Sequence, residues 1–226
     1  METCTKCESE LTLFGGVWFC THCGCVVKGE DCRQEVVLPE GATCIENDAF
    51  SGNQELTGIV IPEGVKKIGF SAFAYCRNLK SVTLPQSLTW LGWRAFQGCS
   101  SLESIILPSK IVFIGRSTFS GCGRLKRVTL PEKLTEIDER AFWGCKSLTE
   151  VRIPKRVESI KMCAFGDCRG LETVTIPKKV SYMGSYVFFY CKELKVYCEA
   201  KEKPERWREK WGETVKEIVW GVENSD

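Results

Sequence analysis

Leu79-Lys80-Ser81-Val82-Thr83-Leu84-Pro85-Gln86-Ser87-Leu88-Thr89-Trp90-Leu91-Gly92-Trp93-Arg94-Ala95-Phe96-Gln97-Gly98-Cys99 is one unit of a pattern that returns along the chain. Its proline recurs at every twenty-third residue, as Pro39, Pro62, Pro85, Pro108, Pro131, Pro154 and Pro177. Eleven positions after each proline stands a phenylalanine: Phe50, Phe73, Phe96, Phe119, Phe142, Phe165 and Phe188. Six positions after comes Ile45, Ile68, Leu91, Ile114, Ile137, Ile160 or Met183, and seventeen after, always a leucine. Fourteen after stands Asn53 in the first unit and then Cys76, Cys99, Cys122, Cys145, Cys168 and Cys191. A register held over seven units is the mark of a repeat architecture, in which single units cannot bury their apolar face but stacked ones can.

The unit has a local physical reading. Val82-Thr83-Leu84 and Val128-Thr129-Leu130 alternate as a half-buried strand does. Proline closes each strand because it has no N–H for the ladder. A segment such as Ala72-Phe73-Ala74-Tyr75 then predicts about one short helical turn before the chain returns. Strands of successive coils are expected to pair in parallel, giving an α/β-type repeat solenoid.

The pattern Leu-x-x-Val-x-Leu-Pro-x-x-Leu-x-x-Ile-Gly-x-x-Ala-Phe-x-x-Cys resembles the BspA-type leucine-rich repeat, found also in treponemal surface proteins. The resemblance covers about residues 34 to 199. It implies a leucine-rich-repeat solenoid and a family of adhesins and uncharacterised bacterial and protist proteins; it says little about what this chain binds. The chain departs from that family in its N-terminus, which lacks the basic and apolar regions of an export leader and carries metal-type cysteines instead. The expectation is a cytoplasmic protein, with a surface adhesin as the alternative if a leader is missing.

The cysteines, fifteen in all, fall mostly into two groups. The six of the repeat column read as small, soft core residues facing inward and unpaired with one another. The second group is Cys4-x-x-Cys7 and Cys20-x-x-Cys23, two knuckles twelve residues apart. Four thiolates on paired turns supply a tetrahedral shell for Zn²⁺, and a segment of about thirty residues needs such a staple to fold. Residues 1–30 are therefore expected to form a zinc ribbon with a closed, structural Zn²⁺ site. His22, the only histidine, is expected to be exposed. Spacing assigns no role to Cys25, Cys32, Cys44 and Cys163. Residues 31–199 form the solenoid, and residues 200–226 its C-terminal cap, with Pro204 opening a helix that carries Trp207 and Trp211 on one face and a closing strand through Val215, Ile218 and Trp220.

Formal net charge is +2, so no global field draws the molecule to polyanions. With one histidine, no phosphate-cradling glycine loop and no nucleophile motif, enzyme chemistry is not expected. Two surface columns stand out. Trp90 and Phe113 replace the solvent-type residues Lys67, Glu136 and Ser159 five positions after proline; Phe70 and Trp93 lie eight after; Ile106 replaces a strand threonine. These five form an apolar partner site or else fold over neighbouring coils. Lys110, Lys133, Arg156 and Lys179 form a basic stripe, either a solvated face or a dock for an acidic partner. The reading is a protein–protein interaction scaffold; nucleic-acid association through ribbon and stripe is the alternative.

Overall fold

A computed structural model of the chain describes residues 3–4, 7–14, 16–29 and 34–223. Cys32 and the boundary expected between residues 30 and 31 lie outside them. Each coil contributes two strands. The first set runs up to the proline turns: Gln34–Val37, Leu56–Val60, Ser81–Thr83, Ser104–Ile106, Arg127–Thr129, Glu150–Arg152, Thr173–Ile176 and Lys195–Cys198. The second set, of two residues each, follows them: Cys44–Ile45, Lys67–Ile68, Trp90–Leu91, Phe113–Ile114, Glu136–Ile137, Ser159–Ile160 and Tyr182–Met183. Pairing within each set is parallel and places like residues side by side, as Ile105 with Val128, Val174 with Val196, Ile68 with Leu91 and Ile137 with Ile160. The period of two along a strand fixes this register, because a slip by one residue would turn the buried set outward.

The expected short helical turns are absent: no described residue is helical. The phenylalanine segments are successions of tight turns, and the reason lies in where their N–H groups go. Phe50, Phe73, Phe96, Phe119, Phe142 and Phe165 each donate to a carbonyl of the following coil at 2.7–2.9 Å. An N–H spent between coils is not available to the i→i−4 ladder of a helix. Two residues with positive φ flank each phenylalanine as well, for example Arg94 (φ 60°) and Gly98 (φ 71°) around Phe96. Left-handed residues end a right-handed helical run.

The core is a set of columns. Phenylalanine rings of adjacent coils stack with centroids 5.0–5.7 Å apart and planes within 15°. The column cysteines are fully buried beside them. Each Sγ donates to the phenylalanine carbonyl twenty-six residues earlier, at 2.9–3.3 Å, from Cys76 to Phe50 through Cys191 to Phe165. In the first coil Asn53 serves the loop backbone, its Oδ1 accepting from the N–H groups of Glu55 and Leu56.

The described residues after 200 form an eighth coil and not the helix expected from Pro204. Trp207 N–H donates to the Pro204 carbonyl, as Val180 N–H does to Pro177. Trp207 bridges in parallel to Met183, and Glu217–Trp220 pairs in parallel with Lys195–Cys198. Trp211 stands twenty-three residues after Phe188 and closes the ring column edge-on at 6.4 Å. Thr214 takes the cysteine place, its Oγ1 donating to the Phe188 carbonyl at 3.1 Å. The closing strand is Glu217–Trp220, which contains Ile218 and Trp220 of the expected strand but not Val215, and Trp207 and Trp211 are buried.

Candidate functional site

The four cysteines of the N-terminal motif converge. Cys4 Sγ lies 3.6 Å from Cys23 Sγ and Cys7 Sγ lies 3.4 Å from Cys20 Sγ, with all four sulfurs within 4.8 Å of one another. The two knuckles repeat one local geometry. Glu8 N–H donates to Cys4 O and Gly24 N–H to Cys20 O, both at 2.8 Å; Cys4 N–H donates to Ser9 O and Cys20 N–H to Cys25 O. Glu8 and Gly24 are both left-handed, with φ of 60° and 70°. The cluster is half sunk, with Cys4 and Cys20 buried and Cys7 and Cys23 partly so. Its electrostatics are uneven. Hydrogen bonds from the Ser9 backbone and hydroxyl hold the Cys7 thiol down to about 6. Burial, reinforced by the neighbouring thiols, pushes Cys23 up to about 12. Four sulfurs this close cannot all ionise without a cation among them, so the donor set fits a metal ion. His22 is exposed and outside the cluster.

The second knuckle is built onto the solenoid. Thr12–Phe14 pairs antiparallel with Val17–Phe19, which pairs antiparallel with Cys25–Gly29. Cys25–Gly29 then pairs in parallel with Cys44–Ile45 of the first coil. One six-stranded sheet thus runs from the ribbon to Trp90–Leu91. Gly24 makes the closest approach. A Cβ there would sit 2.8 Å from Gly41 O and from the Thr43 side chain, and its left-handed φ is one that glycine adopts without strain. Cys25 and Cys44 are joined by a disulfide, a pairing that the spacing of the sequence does not reveal; both belong to strand ends, and only the parallel register brings them opposite each other.

The apolar residues singled out from the sequence divide between two faces. Trp90 and Phe113 lie on short strands of the second set; Phe70 and Trp93 lie just beyond them, with ring centroids 5.7 Å apart. Trp93 also reaches the next coil, where a Cβ on Gly115 would meet its ring, with the Phe113 ring close by. Trp90, Trp93 and Phe70 are nevertheless 42%, 48% and 40% exposed, while Phe113 is half-buried. Ile106, the most exposed at 68%, belongs to a first-set strand opposite Thr129. The column five positions after proline is less uniformly solvent-facing than its composition suggests: Lys67 is exposed, Glu136 half-buried, and Ser159 buried between the Glu136 and Tyr182 rungs. Lys110, Lys133, Arg156 and Lys179 are all exposed, and Lys179 Nζ is held 2.6 Å from Glu158 Oε1. Lys179 is thus ion-paired, as is the nearby Arg152, whose Nη1 lies 3.6 Å from Glu132 Oε1 on the neighbouring coil.

The family model of the BspA type leucine-rich repeat region matches in six copies, over residues 30–149 and 112–201. No curated protein matches the chain. Among solved structures, a leucine-rich-repeat protein of T. pallidum is 32% identical with a TM-score of 0.73, over 79% of this chain and 86% of that one. A leucine-rich-repeat protein of Bacteroides ovatus is 26% identical (TM-score 0.64), over 88% of this chain and 57% of its own. One from Eubacterium ventriosum shares the fold at 20% identity (TM-score 0.75), over 89% and 53%. The chain thus spans little more than half the length of the last two.

Proposed function

The chain belongs to the BspA-type leucine-rich-repeat family, and we propose that it is a non-catalytic scaffold that binds a protein partner through the aromatic side of its second strand set. The observation that carries this reading is the exposure of Trp90, Trp93 and Phe70 on adjacent coils, next to half-buried Phe113. Other coils place polar residues there, such as Lys67, Glu136, Arg116 and Ser185. Aromatic anchors supply most of the energy in typical interfaces, and a solenoid holds such anchors on a rigid frame. Ile106 lies on the first strand set and is left outside this site. The basic stripe steers encounter and weakens with salt. Immobilised chain should capture a protein from extracts of its own cell, and Trp90→Ala with Phe113→Ala should abolish that capture. Undiminished capture by the double variant refutes the assignment.

The same reading makes the N-terminal unit, residues 1–30, a ribbon that holds one structural Zn²⁺, the solenoid residues 31–199, and the cap residues 200–226. Thiolates about 2.3 Å from a central zinc stand roughly 3.8 Å apart, close to the 3.4 and 3.6 Å separations across the cluster. Zinc would satisfy the charge of Cys4, Cys7, Cys20 and Cys23 and leave no open position for hydrolysis. Metal analysis should give about one zinc per chain, lost in Cys4→Ser with Cys7→Ser. A fully folded ribbon that takes up no metal would refute the zinc site.

A further inference from the structure

We propose that Cys25 and Cys44 form a reversible thiol–disulfide latch that fastens the cysteine ribbon to the first solenoid coil, closed by a small disulfide of the glutathione class. The latch is independent of both the partner-binding surface and the metal site.

The placement of the two sulfurs carries it. Cys25 is the first residue of the last ribbon strand, and Cys44 is the first residue of the first short strand of the solenoid. They are direct partners across the rung that joins the two units, with Cα atoms 4.7 Å apart. Hydrogen bonds hold the same junction. Thr43 N–H donates to Gly24 O at 2.6 Å, Cys44 N–H to Gly24 O at 3.4 Å and Glu46 N–H to Val26 O at 2.8 Å. Thr43 Oγ1 donates to Cys23 O at 2.9 Å. A covalent tie added to these bonds sets how firmly the ribbon covers the end of the stack.

The remaining described thiols of the two cysteine groups are committed elsewhere. The column cysteines lie in the core and donate to phenylalanine carbonyls. Cys4, Cys7, Cys20 and Cys23 face one another. The open form of the latch also has a place in the fold, because a Glu46 carboxylate oxygen lies 3.5 Å from Cys44 Sγ and would accept from the reduced thiol. The Cys44 sulfur thus has a partner in either form, as a reversible device requires.

The exchange balances. The Cys44 thiol loses its proton, and the thiolate attacks one sulfur of the small disulfide, breaking its S–S bond and releasing one small thiolate. The deprotonated Cys25 sulfur then attacks Cys44 Sγ of the mixed disulfide and releases the second. Two protons and two electrons pass from the protein dithiol to the small disulfide, which leaves as two thiols. An excess of small thiol reverses both steps. A pair of this kind closes in an oxidising compartment and opens in a reducing one.

The test uses the full metal-loaded chain in oxidised or in reduced glutathione, with intact mass, peptide mapping, metal content and amide hydrogen exchange measured together. The latch predicts a Cys25–Cys44 linkage and the loss of two hydrogens in the oxidised buffer only. It predicts exchange at Cys44–Glu46 about tenfold slower when closed, with exchange at Ile137–Asp138 unchanged. Cys25→Ala with Cys44→Ala should exchange at the fast rate in both buffers. Absence of the linkage in oxidised glutathione overturns the proposal, as does a linkage that leaves exchange at Cys44–Glu46 unaltered, or a cross-link that consumes the four clustered cysteines instead. A chain that holds no metal yet shows the linkage and the slowed exchange overturns the zinc reading and leaves the latch standing.

Discussion

At the scale of single residues, the column cysteines show how a reactive side chain becomes structural. Each thiol is fully buried and uses its one proton on a carbonyl of the preceding coil. Burial pushes the Cys122 thiol from its ordinary value of 9.0 up to about 12, and drives Cys99 and Cys145 well above theirs. A thiol whose value is raised on folding adds stability that is intact below the unfolded value and disappears as pH climbs through the folded one. The folded protein should therefore lose stability between about pH 9 and pH 12, beyond what its lysines explain, and a chain with Cys122→Ala should lose less in that window. Alkylation followed by mass analysis should find Cys99, Cys122 and Cys145 unmodified at about pH 8 until denaturant is added, because the thiolate is the reacting form. Labelling of those three in the native state would contradict the inward column. The inward assignment is legible in the sequence from the cysteine's place between the phenylalanine and leucine columns. The carbonyl acceptor is not, since it belongs to another coil.

At the scale of the coil, the strands before the prolines can be read from Val-Thr-Leu alternation, whereas the two-residue strands after them are too short to alternate. The phenylalanine turns read as helical in the sequence because Ala-Phe with a following polar residue suits one turn of either kind. What separates the two is hydrogen bonding between coils, and that appears only once the stack exists. Glycine marks two different constraints in these turns. Gly121 has φ +78° and ordinary space where a methyl group would stand, with the nearest atom 3.5 Å away. Gly92 lies outside the left-handed region, yet a Cβ there would sit 2.5 Å from the Gly69 backbone. Gly121→Ala should cost about 1–2 kcal/mol, the strain of a left-handed alanine. Gly92→Ala must push two coils apart and should cost more, toward the upper end of ordinary single-residue effects, about 3 kcal/mol. Denaturant midpoints with equal slopes would measure both. A Gly92→Ala protein as stable as wild type would mean that the coils are not in backbone contact there.

At the scale of the whole molecule, the described residues form one stack of coils, with three antiparallel N-terminal strands joined to its first coil. The ribbon supplies the first rung, and the tail supplies an eighth coil with Trp211 and Thr214 in the phenylalanine and cysteine columns. That eighth coil is within reach of the sequence, because both residues keep the twenty-three-residue interval; the prolines lose it, and Pro204 by itself suggests a helix start. Trp207 anchors the end, with Nε1 donating to Val180 O at 3.0 Å and its ring against Trp211 and Trp220. Trp207→Ala should remove about 3–5 kcal/mol, as loss of a buried aromatic does, read as a lower denaturant midpoint. A change below about 1 kcal/mol would show that the cap is dispensable. The four-cysteine site is legible from its spacing, since two knuckles suffice to bring four sulfurs together. The docking of that site onto the first coil is not, because Cys25 and Cys44 meet only through parallel pairing. The aromatic side is legible as an anomaly of composition, but only the coil geometry separates Ile106 from Trp90 and Phe113. The melting temperature of Trp90→Ala with Phe113→Ala decides whether these aromatics are an interface or part of the core. Residues that chiefly face a partner should leave the midpoint within about 4 °C of wild type, the shift of roughly 1 kcal/mol in a chain of this size; a fall comparable to that of the core variant Phe96→Ala would contradict it.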